Sequence, residues 1–518
     1  MTSPSDQNPP SSGITRKTFL GAAGAGTVAA VLDRGRGLQA QQVGGAVEER
    51  RTDVVVVGAG MGGLTAAVRA QEQGADVILL EKASEPGGTM RESAGGVWTY
   101  ATYEEIRNDV PYGDPDLQRT LVETLPRAFA FYESIGAPIG EESVNPPMRI
   151  RSIAPVAFTN YLVALFRRNG GELLVETPML RLITNPRDEV IGVRAHGPDG
   201  PVDLLANAVV LATGGWAGDA QLVHSNITRM FGALHQRNAG FNGLKPPFTG
   251  DGFWSAARIG AAPSDGGFDS FYGHVLPARP ATFTHPLANY SIYHGYASVA
   301  LNLHGVRFAD ETRGRIAGRT PMHRAGDELI TQEVARQPDA SAVFVWDQAI
   351  HSDYASAESA VLGSLDKFVA YRDAGAPVAR ADTLDELANR IADWERGIPA
   401  DRVRETLREY NSAAEAGRAD ELPVPKQDPE SAHPITEPPF YAVLGTAGIT
   451  GGHGGLLINP RGQVLYRTRQ PVPGLYAAGI DIGNIGNYVY VGFLGYGAVF
   501  GYISGGNAAA QPAPRGGW

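Results

Sequence analysis

The chain contains no cysteine, which removes iron–sulfur clusters, c-type haem attachment, zinc–thiolate sites and dithiol redox chemistry from it. Any electrons it handles must pass through another group. Charge is also sparse: Asp, Glu, Lys and Arg make up 19% of the residues and the formal net charge is −11. No basic face is therefore expected to hold nucleic acid or an anionic membrane by charge alone. No apolar run is long enough to cross a bilayer. What the chain does have is length: 518 residues, 43% of them hydrophobic, enough for two domains and a tail.

The N-terminal stretch Thr15-Arg16-Lys17-Thr18-Phe19-Leu20 precedes a small, apolar run from Gly21 to Leu32. It resembles a twin-arginine export signal with Lys17 in place of the second arginine, a pathway that carries folded, cofactor-loaded proteins. The other reading is a Gly/Ala-rich tail. Residues 1–50 are assigned to this signal and a polar linker.

Asp53-Val54-Val55-Val56-Val57 then reads as a buried strand, followed by Gly58-Ala59-Gly60-Met61-Gly62-Gly63 and an Ala-rich helix ending near Gly74. Gly58 permits the tight turn, Gly60 lets the backbone approach a pyrophosphate, and Gly63 allows close helix–strand packing. Phosphates are favoured at the helix start by its unpaired N–H groups and dipole. A second strand, Asp76 to Leu80, ends at Glu81-Lys82, and Glu81 lies eighteen residues after Gly63. A carboxylate there can accept hydrogen bonds from a ribose diol and repels a 2′-phosphate.

The rest of the chain selects FAD over NAD. Pro86-Gly87-Gly88-Thr89 and Ser93-Ala94-Gly95-Gly96 form a second glycine-rich segment suited to close contact with a flat ring. Leu173 to Thr177, around Val175, and Val190 to Val193 are predicted strands of an accessory sheet. Val209-Val210-Leu211-Ala212-Thr213-Gly214-Gly215 is a strand entering a glycine turn, and Thr249-Gly250-Asp251-Gly252 opens another helix. Gly474-Leu475-Tyr476-Ala477-Ala478-Gly479-Ile480-Asp481 repeats the strand-to-turn layout. Asp481 either receives a flavin ribityl hydroxyl or caps the next helix.

Together these segments resemble the flavoprotein family of fumarate reductases, 3-ketosteroid dehydrogenases and tricarballylate dehydrogenases over residues from about 52 to 508. The resemblance implies an α/β fold, a split Rossmann-like FAD-binding domain with an inserted α+β capping domain. The boundaries it implies are FAD-binding parts at 51–265 and 431–510, a capping domain at 266–430 and a tail at 511–518. The charged segment Asp401 to Glu421 reads as a solvated helix. FAD is expected to be held non-covalently, since no cysteine exists and no histidine is placed as an anchor.

The family's catalytic positions carry over unevenly. The histidine that follows the Thr-Gly-Asp-Gly helix in the reductases corresponds to His274. Their carboxylate-gripping Thr-Glu pair is Tyr290-Ser291 here, and their second histidine is Thr450. Beyond Asn302-Leu303-His304-Gly305-Val306-Arg307-Phe308-Ala309-Asp310-Glu311, the proton-donating arginine of the reductases corresponds to Arg315; the other reading is a surface arginine. Their C-terminal substrate arginine is replaced by Tyr488 or Tyr490. Tyr490-Val491-Gly492 resembles the steroid-dehydrogenase segment in which a tyrosine hydroxyl and a backbone N–H bind a carbonyl. His453 is either beside the flavin or a turn residue.

These residues suit redox chemistry at a C–C bond beside a carbonyl, where Tyr490 and the Gly492 N–H stabilise a developing enolate and Arg315 or a nearby tyrosine moves the other proton. Phe271, Tyr272, Tyr290, Tyr293 and Tyr296 suggest a substrate larger and less anionic than fumarate. Three readings follow: an exported α,β-dehydrogenase, an exported reductase of an activated alkene, or a non-catalytic flavin-binding protein. The expected partners are a small carbonyl substrate and a quinone or redox protein; no metal and no nucleic acid is expected.

Overall fold

Val54–Val57 are four consecutive buried valines, a run of stiff β-branched side chains that fits a strand covered on both faces. In the computed structural model, which describes residues 47–229, 235–236, 248–278, 290–312, 325–356 and 366–518, they end the strand Glu48–Val57. That strand pairs in parallel with Val77–Leu80 on one side and Gly200–Leu211 on the other. The export-signal residues and Arg315 lie outside the described residues.

The sheet runs in the order Gln463–Leu465, Pro471–Ala477, Gly200–Leu211, Glu48–Val57, Val77–Leu80, Glu172–Leu174. Chain segments far apart in sequence thus share one sheet: Leu475–Ala477 pair in parallel with Val209–Leu211. Residues near Leu173 were expected in an accessory sheet. Glu172–Leu174 instead pairs in parallel with Ile78–Leu80, covering the free edge of a wholly buried strand. The antiparallel addition consists of Met179–Thr184 and Val190–Gly197.

The helix Phe493–Ala509 lies across the helix Met61–Glu72. A side chain at Gly501 would meet Gly62 O at 2.6 Å, and one at Gly505 would overlap Ala66 backbone. Small residues four apart let the two backbones touch.

A second sheet is organised by one long strand, Phe440–Gly452. Its first half pairs antiparallel with Val378–Ala381 and Ser341–Trp346, and its second half with Phe271–Pro277. Val299–Leu301 adds to Ser341–Trp346. This sheet therefore takes its longest strand from beyond residue 430. The helix Ala400–Glu415, expected to be solvated, buries Val403, Thr406, Leu407 and Tyr410 at helical spacing and keeps only its other face wet. No described helix is long and apolar enough to cross a membrane. Among the described residues, no cluster of His, Cys, Asp or Glu could hold a metal ion.

Candidate active site

The glycine turn and the sheet's carboxyl edge border a cleft of about 990 Å³, counted with its open mouth. Gly58, Gly60, Met61 and Gly62 line it from the turn, Glu81 and Lys82 from the second strand, and Gly88 and Thr89 from the second glycine segment. Ala212, Thr213, Gly214, Asp251 and Gly479 complete the predicted residues on its wall. Gly58 has φ +100°, and a side chain at Gly63 would overlap Gly58 O, so both glycines are required by the turn itself. Gly60 differs: a side chain there would meet nothing nearer than Gly87 O at 3.9 Å. Its bareness leaves room in the cavity, where the helix Met61–Glu72 starts without a side-chain cap and presents unpaired N–H groups.

The buried Glu81 carboxylate accepts the N–H of Ala59 at 2.9 Å and of Ala83 at 2.9 Å. Burial raises its pKa, and those two hydrogen bonds and Lys82 oppose the rise. A carboxylate has about four acceptor positions, so capacity remains for a diol. Lys82 turns away from the phosphate end: its Nζ donates to Asp251 at 2.9 Å and Thr249 at 3.3 Å.

Asp481 does not cap the next helix, whose N-cap is Gly492, and it stands off the cavity wall. Its carboxylate accepts the N–H of Thr213 at 2.5 Å and of Gly215 at 2.8 Å, as well as the Thr213 hydroxyl at 2.9 Å. It clamps the strand-end turn of the other half of the sheet from behind. Burial pushes its pKa up, against the hydrogen bonds from Thr213 and Gly215. Gly87, Ser93, Ala94, Gly95, Gly96, Val175 and Gly215 also stand outside the cavity wall; Ser93 instead orders its own loop by bonding Met90 O and Gly95 N.

Phe493 and Leu494 close one end of the cavity. Around Phe493 gather Tyr490 at 5.0 Å, Tyr272 at 5.6 Å and His453 at 5.6 Å between ring centroids. Tyr272 and Tyr490 are stacked, and the edge of Trp98 meets Tyr490 at 5.4 Å. His274, buried on the strand Phe271–Pro277, has its Nε2 3.1 Å from the Tyr272 hydroxyl. Gly492 has φ +96°, and any side chain there would overlap Trp98 O.

A glycine-floored cavity at a helix start, a carboxylate at the second strand's end and an aromatic terminus fit a dinucleotide with a flat ring system. The family described as FAD binding domain matches residues 53–491. The chain belongs to this FAD-binding family. NADH:fumarate oxidoreductase of Klebsiella pneumoniae (strain 342) is 26% identical over 509 residues; the match takes in 93% of the chain and half the length of that relative. 4-Oxocyclohexanecarboxylate 2-dehydrogenase of Sinomonas cyclohexanicum is 25% identical, with 89% of the chain and 93% of the relative covered. A solved structure of 3-ketosteroid delta1-dehydrogenase from Sterolibacterium denitrificans shares the fold at a TM-score of 0.67 and 19% identity, covering 89% of the chain and all of that structure.

Within this FAD-binding fold the remaining predicted positions separate. Tyr488 does not belong to the aromatic cluster: it is 41% exposed, packs against Tyr112, and its hydroxyl donates to Asp269 at 3.2 Å, whose charge raises its pKa. Tyr490 is the tyrosine at the cavity end. His453 is buried, its pKa pushed down to about 3 by desolvation, and neither ring nitrogen has a hydrogen-bond partner among the described residues. It is therefore a neutral imidazole against Phe493. Arg315 lies outside the described residues, but the segment leading to it is anchored by a buried ion triad. Arg307 donates to Glu311 at 2.6 and 3.0 Å, and Lys426 Nζ lies 3.9 Å from Glu311. Burial raises the Glu311 pKa, but Lys426 and Arg307 outweigh it and hold the group below the usual carboxylate range.

Sequence reasoning missed Phe248, Met179, Ile480, Phe493 and Leu494 on the cavity wall. Phe248 has φ +58°, a left-handed conformation that a bulky residue rarely adopts. Its ring fills the space that Gly214 leaves empty.

Proposed function

We propose that the protein is an FAD-dependent oxidoreductase that removes two hydrogens from adjacent carbons beside a carbonyl. The observation that carries this reading is the placement of Tyr490 and Gly492 where the FAD cavity ends, at the N-terminus of the helix Phe493–Ala509. When bound, FAD supplies the two-electron acceptor for a C–H bond.

The Tyr490 hydroxyl and the Gly492 N–H are donors suited to a carbonyl oxygen that gains charge as the neighbouring carbon loses its proton. Trp98 and Tyr272 hold the Tyr490 ring on two sides, so the donor is oriented before substrate arrives. Tyr272 receives the departing proton as it passes its own to His274 Nε2, 3.1 Å away. The uncharged Tyr290-Ser291 pair suits a neutral substrate better than a dicarboxylate. The similarity to 4-oxocyclohexanecarboxylate 2-dehydrogenase, a name that describes desaturation beside a ketone, agrees with this direction.

Reduction of an activated alkene is the second reading, favoured by the similarity to NADH:fumarate oxidoreductase and by Arg315 at the reductase position. In either direction a quinone or redox protein exchanges electrons with FAD, and the N-terminus directs export by the twin-arginine route. The deciding experiment follows flavin absorbance anaerobically. Bleaching of oxidised enzyme by saturated ketones supports dehydrogenation. Reoxidation of viologen-reduced enzyme by enones alone overturns it in favour of the reductase.

A further inference from the structure

Lys82 and Asp251 both line the FAD cleft, yet they belong to different walls of it. Lys82 follows the strand Val77–Leu80, and Asp251 opens the helix Asp251–Arg258. That helix is tied to the turn after the strand Gly200–Leu211: the N–H of Gly250 donates to Gly215 O at 3.0 Å, and the N–H of Gly252 donates to the Thr213 hydroxyl at 3.1 Å. The strands Val77–Leu80 and Gly200–Leu211 flank Glu48–Val57, whose end carries the glycine turn. The strands that the two walls extend are therefore two spacings apart, about 10 Å. Lys82 Nζ closes that gap by donating to one Asp251 oxygen at 2.9 Å and to the Thr249 hydroxyl at 3.3 Å. The same hydroxyl donates to the other Asp251 oxygen at 2.8 Å. The Lys82 and Asp251 side chains are 20% and 30% exposed, so salt reaches the pair.

The arm that carries Asp251 is fixed at its root. Phe248 packs into the room left at Gly214, and its carbonyl accepts the Gly218 N–H at 3.1 Å. Residues 248–251 thus extend from one wall as a short, anchored segment, and Lys82 meets it from the other.

We propose that the Lys82–Asp251 ion pair is a clasp across the cleft that governs how fast FAD enters and leaves. A cofactor seated between the walls is enclosed while the pair is made, and exchange requires the pair to part. The clasp acts on both directions of exchange, so the entry and release rates change together and the affinity changes less than either. Screening loosens it: the Debye length falls from about 10 Å at 0.1 M salt to about 3 Å at 1 M. The other role open to Lys82 is direct attraction of the FAD pyrophosphate, and the two roles differ in sign at Asp251. Removing a carboxylate from the wall strengthens the hold on an anion if Lys82 attracts it, and weakens retention if the pair is a clasp.

The test follows FAD release from holoenzyme by the rise of flavin fluorescence on dilution, at about 0.1 M and about 1 M salt. No substrate enters the measurement, so its outcome is independent of the reaction catalysed. Wild-type release should quicken with salt. At low salt, Lys82→Met and Asp251→Asn should each release FAD about three- to tenfold faster than wild type, with the salt effect reduced and with FAD entry into apoprotein quickened as well. The exchanged pair, Lys82→Asp with Asp251→Lys, should recover most of the loss. Slower release from Asp251→Asn overturns the clasp in favour of direct attraction by Lys82. Release from wild type that is indifferent to salt, or single variants that match wild type, also overturns it. If Asp251→Asn does not fold, Thr249→Val decides: it deletes the hydroxyl shared by both partners and leaves both charges, and unchanged release from it counts against the clasp.

Discussion

Tyr272 and Tyr490 stack face to face, ring centroids 3.8 Å apart and planes within 9°. One belongs to the second sheet and the other to the turn before the final helix, so this pair joins the two parts of the protein at the cavity end. Tyr490→Phe keeps the ring in that stack and deletes only the hydroxyl. It should lower kcat on a ketone substrate by about tenfold or more while folding and FAD content stay as in the wild type. Steady-state kinetics with full activity would take Tyr490 out of the mechanism.

Fumarate and succinate should be poor substrates. Two buried carboxylates left without cationic partners cost several kcal/mol each, and the resemblance to the reductases implies Tyr290-Ser291, Thr450 and Tyr488 or Tyr490 at the positions of their charged grips. Turnover is expected below about a thousandth of that with the true substrate, the factor for roughly 4 kcal/mol of transition-state stabilisation. Comparable kcat/KM for fumarate would refute the reading.

Glu81 joins the glycine turn to the second strand through Ala59 and Ala83. Glu81→Ala should weaken FAD binding by about 1–3 kcal/mol, measured by flavin fluorescence on titrating the apoprotein. No histidine among the described residues lines the cavity, so acid precipitation should release intact FAD into the supernatant. Unchanged affinity would mean that Glu81 does not face the ribose.

His453 and His294 make stability pH-dependent. Each has a folded-state pKa of about 3 against 6.5 when exposed, so the unfolded chain binds more protons between these values. Stability is full above pH 6.5 and falls as the pH drops toward 3, by about 2 kcal/mol per histidine at pH 5. Urea unfolding at pH 7 and pH 5 measures the slope. A His453→Leu variant that declines as steeply as the wild type would exclude His453 as a source.

Export should depend on the basic pair Arg16-Lys17. Arg16→Lys combined with Lys17→Gln is expected to retain the protein in the cytoplasm, scored by cell fractionation; unaltered secretion would show that this segment is only a tail.

The glycine turn and Glu81 were legible because a strand, a turn, a helix and a second strand follow one another within thirty residues, and local spacing reports local geometry. The Asp481 clamp was not legible because its partners, Thr213 and Gly215, lie in another segment that no spacing rule connects to it. The apolar run at Phe440 announced a strand but not which sheet would take it. Tyr488 and Tyr490 are two apart, and in a strand they would face the same way. Tyr488 instead sits in a turn in which Gly486 O accepts the N–H of both Tyr488 and Val489, so one tyrosine faces solvent and the other the cavity end. Phe248 carries no sequence mark of its conformation.

The clamp of Asp481 on Thr213 also bears on the order in which the protein can be completed. A ribosome delivers the glycine turn and Glu81 early, yet the strand Pro471–Ala477, the clamp and the helix that packs against Met61–Glu72 come far later. A chain cut before Gln463 lacks two strands of the eight-stranded sheet and the backing of the Thr213 turn. Any quality check that asks for bound FAD therefore also asks whether this distant segment has been made and docked.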